Sequence, residues 1–223
     1  MILAIDTSDR QCAVALGATT GAEEMQRGHA ERLFPMIEAV MAEAGAAHAD
    51  LSRIAVCTGP GSFTGIRVGV SAARGLALAL AIPAIGVTRF DALALAAVAG
   101  RNDDRAPTGA AAQGDTGPEP GIAVAIAARG GCYRQDFPRG WPARGAPGPM
   151  RFEPGARPAS PGPDWVLAGD GWAEQAAARG QVDPALVAAL AATRVPGEPP
   201  APCYLRAPAA DPPREAPPPM LDG

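Results

Sequence analysis

Lysine is absent from this 223-residue chain, in which all 19 basic residues are arginine. That absence excludes the lysine of a Walker-type phosphate loop, a Schiff base with a carbonyl substrate and a lysine general base. Aromatic residues are scarce at 4%, so we expect a core built mainly from alanine, valine, leucine and isoleucine. Any catalysis by this chain would have to rest on other side chains.

Histidine is nearly as rare, since His29 and His48 are the only two. A metal site built on His29 would want a second histidine at position 33, where the chain has Leu33. The four cysteines are scattered and form no CxxC pair, so neither zinc nor redox chemistry is indicated. Two histidines also assemble no serine or cysteine triad. We therefore predict no catalytic residue and no metal site.

Charge and hydropathy limit where the chain works and what it can bind. Its net charge is −4 and its pI is about 5.2, whereas nucleic-acid binders normally carry a basic surplus. The first predicted strand starts at Ile2, so we expect no secretory signal. No uninterrupted apolar run is long enough to cross a bilayer, and the richest run stops at Pro83. We expect a cytoplasmic protein that contacts RNA only indirectly.

Apolar periodicity in the first hundred residues predicts the element order β-β-β-α-β-α-β-α. A meander that passes into alternating strands and helices is how actin-like ATPase folds begin, although other α/β folds share this order. Pro35 lies inside the first helix, which predicts a late start or a kink there. The predicted strands are 2–5, 12–16, 22–27, 54–57 and 84–87, and the helices are 30–44, 64–80 and 90–99.

Beyond residue 100 the composition becomes rich in proline and glycine, which predicts a smaller second lobe over 101–206 and an extended tail over 207–223. The lobe 1–100 would carry the main sheet. Within the second lobe we predict a loop over 101–121, a hairpin of strands 122–127 and 132–137, an irregular stretch 138–163, a strand 165–168, and helices 172–179 and 184–192.

The segment 59–80, GPGSFTGIRVGVSAARGLALAL, superficially resembles a phosphate loop. Its glycines miss the GxGxxG spacing and no lysine follows, so both common phosphate-loop templates fail. Ser62 or Thr64 can cap the helix that begins there. Gly65, Gly69 and Ala73 then recur at spacing four, a pattern that lets another helix approach closely. The alternative is that this small-residue face packs against the chain's own sheet.

Two enzymatic alternatives stay open. The Asp6-Thr7-Ser8 turn closes the first strand, where an actin-like ATPase faces its nucleotide, although the turn lacks a glycine and can equally be structural. A small ATPase or sugar-kinase-like protein would use Asp6 and the 59–65 turn. A metallopeptidase-like protein is the other alternative, for which the chain offers one histidine and no motif.

Three segments resemble the bacterial TsaB family, also called YeaZ: MILAIDTS at 1–8, HAERLFP at 29–35 and, above all, 59–80. Weaker similarities are PAIGV at 83–87, IAARGGCY at 126–133 and PCYLR at 202–206. The resemblance is dense over the first hundred residues and patchy beyond them. At 126–129 the family usually has IDAR, whereas this chain has IAAR and so lacks an acidic group in its second lobe.

The resemblance implies a two-lobed actin-like ATPase (ASKHA, ribonuclease H-like) fold and a part in forming N6-threonylcarbamoyladenosine at position 37 of tRNA. TsaB proteins pair with and activate the catalytic subunit TsaD, and the ATPase TsaE joins them. The family thus implies a non-catalytic subunit with no cofactor of its own, with ATP and metal held on the partner subunits. Exposed apolar surface on a helix pair is stabilised when another chain buries it, so we predict a homodimer for the isolated chain.

The pairing surface of the family is made by the two N-terminal helices. Transferred to this chain, it predicts partner-binding residues on both of them. The first helix would contribute Leu33, Ile37, Val40 and Met41, and the second would contribute Ile66, Gly69, Val70, Ala73, Arg74 and Ala77.

Overall fold

The computed structural model describes residues 1–100, 120–143, 145–155, 158, 161–162, 165–175 and 180–205. The predicted loop over 101–121 lies almost entirely outside the described residues, as does the predicted tail over 207–223.

A mixed five-stranded sheet forms from the first hundred residues, in the order β3-β2-β1-β4-β5. The first three strands make an antiparallel meander, while β4 pairs parallel to β1 and β5 pairs parallel to β4. The predicted element order is confirmed. The elements are β1 (Ile2–Asp6), β2 (Gln11–Leu16), β3 (Thr19–Glu24), α1 (His29–Glu43), β4 (Arg53–Cys57), α2 (Phe63–Leu80), β5 (Ala84–Val87) and α3 (Arg89–Gly100).

A second, four-stranded sheet has the order β8-β7-β6-β9. Its strands are β6 (Gly121–Ala128), β7 (Gly131–Phe137), β8 (Arg151–Pro154) and β9 (Trp165–Ala168). Strand β8 corrects the sequence analysis, which predicted an irregular stretch there. The predicted helix over 172–179 is also corrected, because its described part belongs to a short 3-10 helix, Asp170–Gln175. Two sheets in this arrangement make the two-lobed actin-like α/β fold that was predicted.

Helices cover both faces of the first sheet because its strands are apolar on both sides. Leu3 and Ile5 of β1 point into a core shared with α1 and α2, whereas Ala4 points into the core on the opposite face. That opposite face is covered by α4 (Pro184–Thr193), and α3 packs between α4 and strands β6 and β9 of the second sheet. The sequence analysis assigned α4 to the second lobe, yet it packs against strands of the first sheet.

Helix α1 continues through Pro35, whose ring lies on the exposed side of the helix. The helix begins after Gly28, which adopts the left-handed conformation with φ of 87°. Its buried stripe faces β2 and β3, so packing of this stripe holds the helix together despite the hydrogen bond that proline removes.

Helix α2 is the one helix in the described part of the chain that is long and apolar enough to cross a membrane, judged by length and composition alone. The sequence analysis found no such run because Arg67 and Arg74 interrupt it. Core helices of soluble proteins meet the same criterion. Here α2 lies against β4, with Ile66, Val70 and Ala73 buried beneath it.

Candidate functional site

The small-residue face of α2 packs against the turn between β1 and β2. A Cβ atom at Gly65 would overlap the Thr7 carbonyl oxygen, and one at Gly69 would lie 2.5 Å from Thr7 Oγ1. Thr7 Oγ1 donates a hydrogen bond of 2.7 Å to the Gly65 carbonyl oxygen. The spacing of small residues therefore serves a close approach within this chain, which was the alternative that the sequence left open.

The start of α2 is fixed to the same turn. The Ser62 backbone N–H donates to the Ser8 carbonyl oxygen over 2.7 Å, and a side chain at Gly61 would overlap that same oxygen. Ser62 Oγ accepts a hydrogen bond from the Gly65 N–H, which confirms Ser62 as the N-cap residue. The glycine-rich segment thus joins two backbone turns and leaves no cradle for a phosphate between them.

The structure places most of the predicted docking residues in the chain's own core. Of that set, Arg74 alone is exposed, and the other positions pack beneath the two helices, with Leu33 also lining the opening between them. The buried positions are Leu33, Ile37, Val40, Met41, Ile66, Gly69, Val70, Ala73 and Ala77.

The outer sides of the same two helices enclose an apolar groove of about 580 Å³. Phe34 is 48% exposed along it, and Leu78, on the outward side of α2, is 84% exposed. Large apolar side chains exposed together on a helix pair mark an interaction surface. We call this feature the α1–α2 groove. It is lined by Ala30, Leu33, Phe34, Val68, Ser71, Ala72, Gly75, Leu76 and Ala79.

The Asp6 carboxylate, a candidate nucleotide ligand from the sequence, is fully buried and engaged in local hydrogen bonds. It accepts from the Ser8 N–H at 2.9 Å, from Ser8 Oγ at 2.6 Å and from Gln11 Nε2 at 3.0 Å. Gln11 Nε2 also donates to the Val182 carbonyl oxygen over 2.7 Å. Asp6 therefore holds the turn and links it to the segment before α4, so the geometry gives no support to the ATPase alternative.

A polar cleft of about 390 Å³ separates the two sheets. Its floor contains the buried Arg89, whose guanidinium pairs with Asp9 at 2.8 Å and donates to the carbonyl oxygens of Pro60 and Gly180. Arg89 thereby connects three separate turns, and the sequence analysis missed it. The only signal was its place directly after β5. On the opposite wall lie Ala128 and Ala127, the latter being the position where the acidic group is missing.

The described residues contain no candidate metal site, because no group of three or more His, Cys, Asp or Glu side chains comes together among them. His29 is largely buried, and its Nε2 lies 3.2 Å from the Asp9 carbonyl oxygen. The imidazole is thus occupied by a backbone contact at the edge of the cleft. This contact offers no support to the metallopeptidase alternative.

Burial raises the pKa of every cysteine thiol, to about 11 for Cys12 and still further for Cys57. A raised thiol pKa means that the folded state holds its proton more tightly than the unfolded state. The free energy of unfolding should therefore fall as pH rises above the ordinary thiol value of 9.0, with a slope that approaches about 1.4 kcal/mol per pH unit for each of the strongly shifted thiols, Cys12 and Cys57. Urea titrations at pH 8, 9 and 10 measure this.

Cys57→Ala is the control, because this variant should lose part of the slope between pH 9 and 10. An unchanged slope would contradict the assignment. At pH 8 we also expect native Cys12 and Cys57 to react much more slowly with a thiol reagent than the same residues in denatured protein.

Comparison with known proteins gives consistent similarities. The sequence profile described as TsaD: tRNA N6-adenosine threonylcarbamoyltransferase matches residues 20–117. The Escherichia coli K12 protein named tRNA threonylcarbamoyladenosine biosynthesis protein TsaB is 41% identical over 97 residues, which is 42% of each chain. A tRNA N6-adenosine threonylcarbamoyltransferase of Erythrobacter litoralis HTCC2594 is 49% identical over 69 residues, or 31% of this chain and 20% of that protein.

Among solved structures, YeaZ from Pseudomonas aeruginosa is 31% identical, with a TM-score of 0.68. That match covers 92% of this chain and 99% of the solved one. The curated relatives are matched over only about two fifths of their length. The sequence profile thus matches mainly the lobe that carries the α1–α2 groove, while the similarity in structure extends over both lobes.

Proposed function

The chain belongs to the TsaB (YeaZ) family, and we propose that it is the non-catalytic partner subunit of the machinery that forms N6-threonylcarbamoyladenosine at position 37 of tRNA. In this proposal it pairs with a TsaD-type transferase and holds that transferase in its active state, with a TsaE-type ATPase joining them in the cytoplasm. The observation that carries the proposal is the α1–α2 groove, an exposed apolar surface on the lobe that the sequence profile matches from residue 20 onward.

The groove suits a partner helix better than a small ligand. It is open along two helices and its rim is made of small side chains, including Ala30, Gly75 and Ala79, so a helix can lie close to both backbones. Phe34 and Leu78 would be removed from water on docking, which provides the driving force. In the absence of the partner the same surface is expected to bind a second copy of this chain.

In this proposal the partner subunits carry out the catalytic steps. The Asp6 carboxylate is engaged in hydrogen bonds to Ser8 and Gln11 that hold the turn. The described residues include no group of side chains that could together bind a metal ion. We therefore propose that ATP and the metal ion are held by the partners. The net charge of −4 supports the same division of labour, because it favours contact with tRNA through the other subunits.

Reconstitution tests the function directly. The TsaD- and TsaE-type proteins of the same organism would be incubated with tRNA, ATP, threonine, bicarbonate and the enzyme that makes threonylcarbamoyl-adenylate, with and without this chain. We expect the modified nucleoside, measured by mass spectrometry of digested tRNA, to fall by at least about 10-fold when this chain is omitted. Equal modification without it, or modification by this chain alone, would contradict the proposal.

A further inference from the structure

The segment 200–205, which follows α4, returns to the first lobe and lies beside the start of α2. The Cys203 N–H donates a hydrogen bond of 2.8 Å to the Thr58 carbonyl oxygen, just beyond β4. Pro200 packs against the backbone of Gly86 in β5. The segment is therefore fixed to the main sheet at the end of β4 and at β5, and it presents Tyr204 at the first turns of α2.

Tyr204 stacks there with two residues of α2. Its ring centroid lies 5.0 Å from that of Phe63, and the Arg67 guanidinium lies 3.8 Å above the Phe63 ring. Arg67 Nε donates a hydrogen bond of 2.8 Å to Tyr204 Oη. We call Phe63, Arg67 and Tyr204 the Arg67 stack. Cation–π contact and the hydrogen bond together hold an arginine side chain that would otherwise move freely in water.

The Arg67 stack lies next to the α1–α2 groove along the chain, since Arg67 directly precedes Val68. Val68, Ser71 and Gly75 line the groove on the flank of α2 that faces α1. Arg67 and Arg74 are seven residues apart, so they share a stripe along the outward side of the helix. Leu78, which is exposed, lies between the groove and this stripe around the helix, so a partner that covers both the groove and Leu78 would reach Arg67.

The charge of this stripe is unbalanced. In the described part of the chain neither Arg67 nor Arg74 forms an ion pair, although acidic residues pair with arginines at several other places. With Nε bound to Tyr204, the two terminal nitrogens of Arg67 remain available for a carboxylate in fork geometry. The stripe therefore complements an acidic side chain.

We propose that Arg67 is a docking residue, held by Phe63 and Tyr204 so that it binds a carboxylate on the partner helix that occupies the α1–α2 groove. This inference rests on the proposed function and adds a third element, the segment 200–205, to the pairing surface. The occupant is a helix with an apolar ridge and an aspartate or glutamate beside it. Because the arginine is already ordered, its binding loses little side-chain entropy.

The experiment measures affinity for the TsaD-type partner by calorimetry at 50 and 300 mM NaCl. Arg67→Met keeps the aliphatic stem and removes the charge, and we expect the dissociation constant to rise about 10-fold at low salt. The loss should shrink at 300 mM NaCl because salt screens the ion pair in the wild type. Arg67→Lys should recover only part of the affinity, since lysine lacks the fork. Tyr204→Phe, which removes only the hydroxyl group, should cost about 3-fold.

Arg151→Met is the matched control, because it removes the same charge from the edge strand β8 of the second sheet. It should leave the affinity within about 2-fold of the wild type. Unchanged thermal melting of each variant shows that it remains folded. Wild-type affinity for Arg67→Met, or an equal loss at both salt concentrations, would overturn the inference while leaving the proposed function in place.

Two further outcomes distinguish a failure of the proposed function from a failure of the docking role of Arg67. If the wild type itself does not bind the partner, both the proposed function and this inference fail. If Arg67→Met weakens tRNA binding by the complex while leaving the affinity for the TsaD-type partner unchanged, Arg67 faces RNA and the inference is overturned.

Discussion

Gly65→Ala is expected to lower the free energy of unfolding by about 3 kcal/mol, a large loss of stability for the addition of one methyl group. The new Cβ would overlap the Thr7 carbonyl oxygen, which is backbone and cannot rotate away as a side chain would. Either α2 or the β1–β2 turn would have to move, and the hydrogen bond from Thr7 Oγ1 to Gly65 would be lost with the fit. Urea unfolding followed by circular dichroism measures the loss.

Gly75→Ala is the matched control for this substitution. Gly75 lies in the same helix, but a Cβ there would have no neighbouring atom within 4 Å. Alanine has the higher helix propensity, so this variant should gain up to about 1 kcal/mol. If Gly65→Ala were as stable as the wild type, the close approach between α2 and the β1–β2 turn would be wrong. A loss in both variants would point to a general effect on the helix instead.

The elements of the first lobe could be predicted because each carries a local signal. Fully apolar runs such as Ile54 to Cys57 indicate buried strands, and the recurrence of Leu33, Ile37 and Val40 indicates a helix. The order of these elements limits the topology, since β1, β4 and β5 must be joined by helices if they run parallel. The α/β order of the first lobe therefore followed from local signals in the sequence, whereas its assignment to the actin-like fold came from the family resemblance.

Strands at sheet edges were harder to predict. Strand β3 spans Thr19–Glu24, whereas the sequence predicted 22–27, because the turn at Gly17 sets the register and that turn carries little apolar pattern. Strand β8 was missed altogether. It is short, polar and surrounded by proline and glycine, and it exists through its pairing with β7. Such strands are defined by a neighbour distant in sequence.

The side of α2 that meets a partner could not be derived from its sequence either. Gly65, Gly69 and Ala73 define a stripe for close packing, but the spacing does not say whether that stripe faces a sheet or another chain. In the structure Thr7 occupies it. Apart from Arg67 and Arg74, most exposed residues of α2 are themselves small or apolar, so both sides of the helix satisfy the same pattern. Only the placement of the β1–β2 turn distinguishes them.

This distinction decides which substitution can test docking. Gly69→Arg would force a long side chain into Thr7 and Val56, so a loss of binding would follow from unfolding alone. Gly75→Arg places the same side chain in open space on the wall of the α1–α2 groove. We expect this variant to melt close to the wild type.

Gly75→Arg is expected to raise the dissociation constant for the TsaD-type partner by about 100-fold, because docking would bury an unpaired charge between apolar surfaces. The same substitution should shift the isolated chain from dimer to monomer in light scattering, since both kinds of pairing use the groove. Calorimetry with the purified partner gives the affinity.

Gly197→Arg provides the control, because Gly197 is exposed, has open space around it and lies beyond α4, outside the groove. It adds the same charge and the same side chain, so it should leave both the partner affinity and the dimer unchanged. If Gly75→Arg lost the dimer but kept the partner, the two pairings would use different surfaces. If it kept both, the groove would not be the docking surface, and the exposed Phe34 and Leu78 would need another explanation.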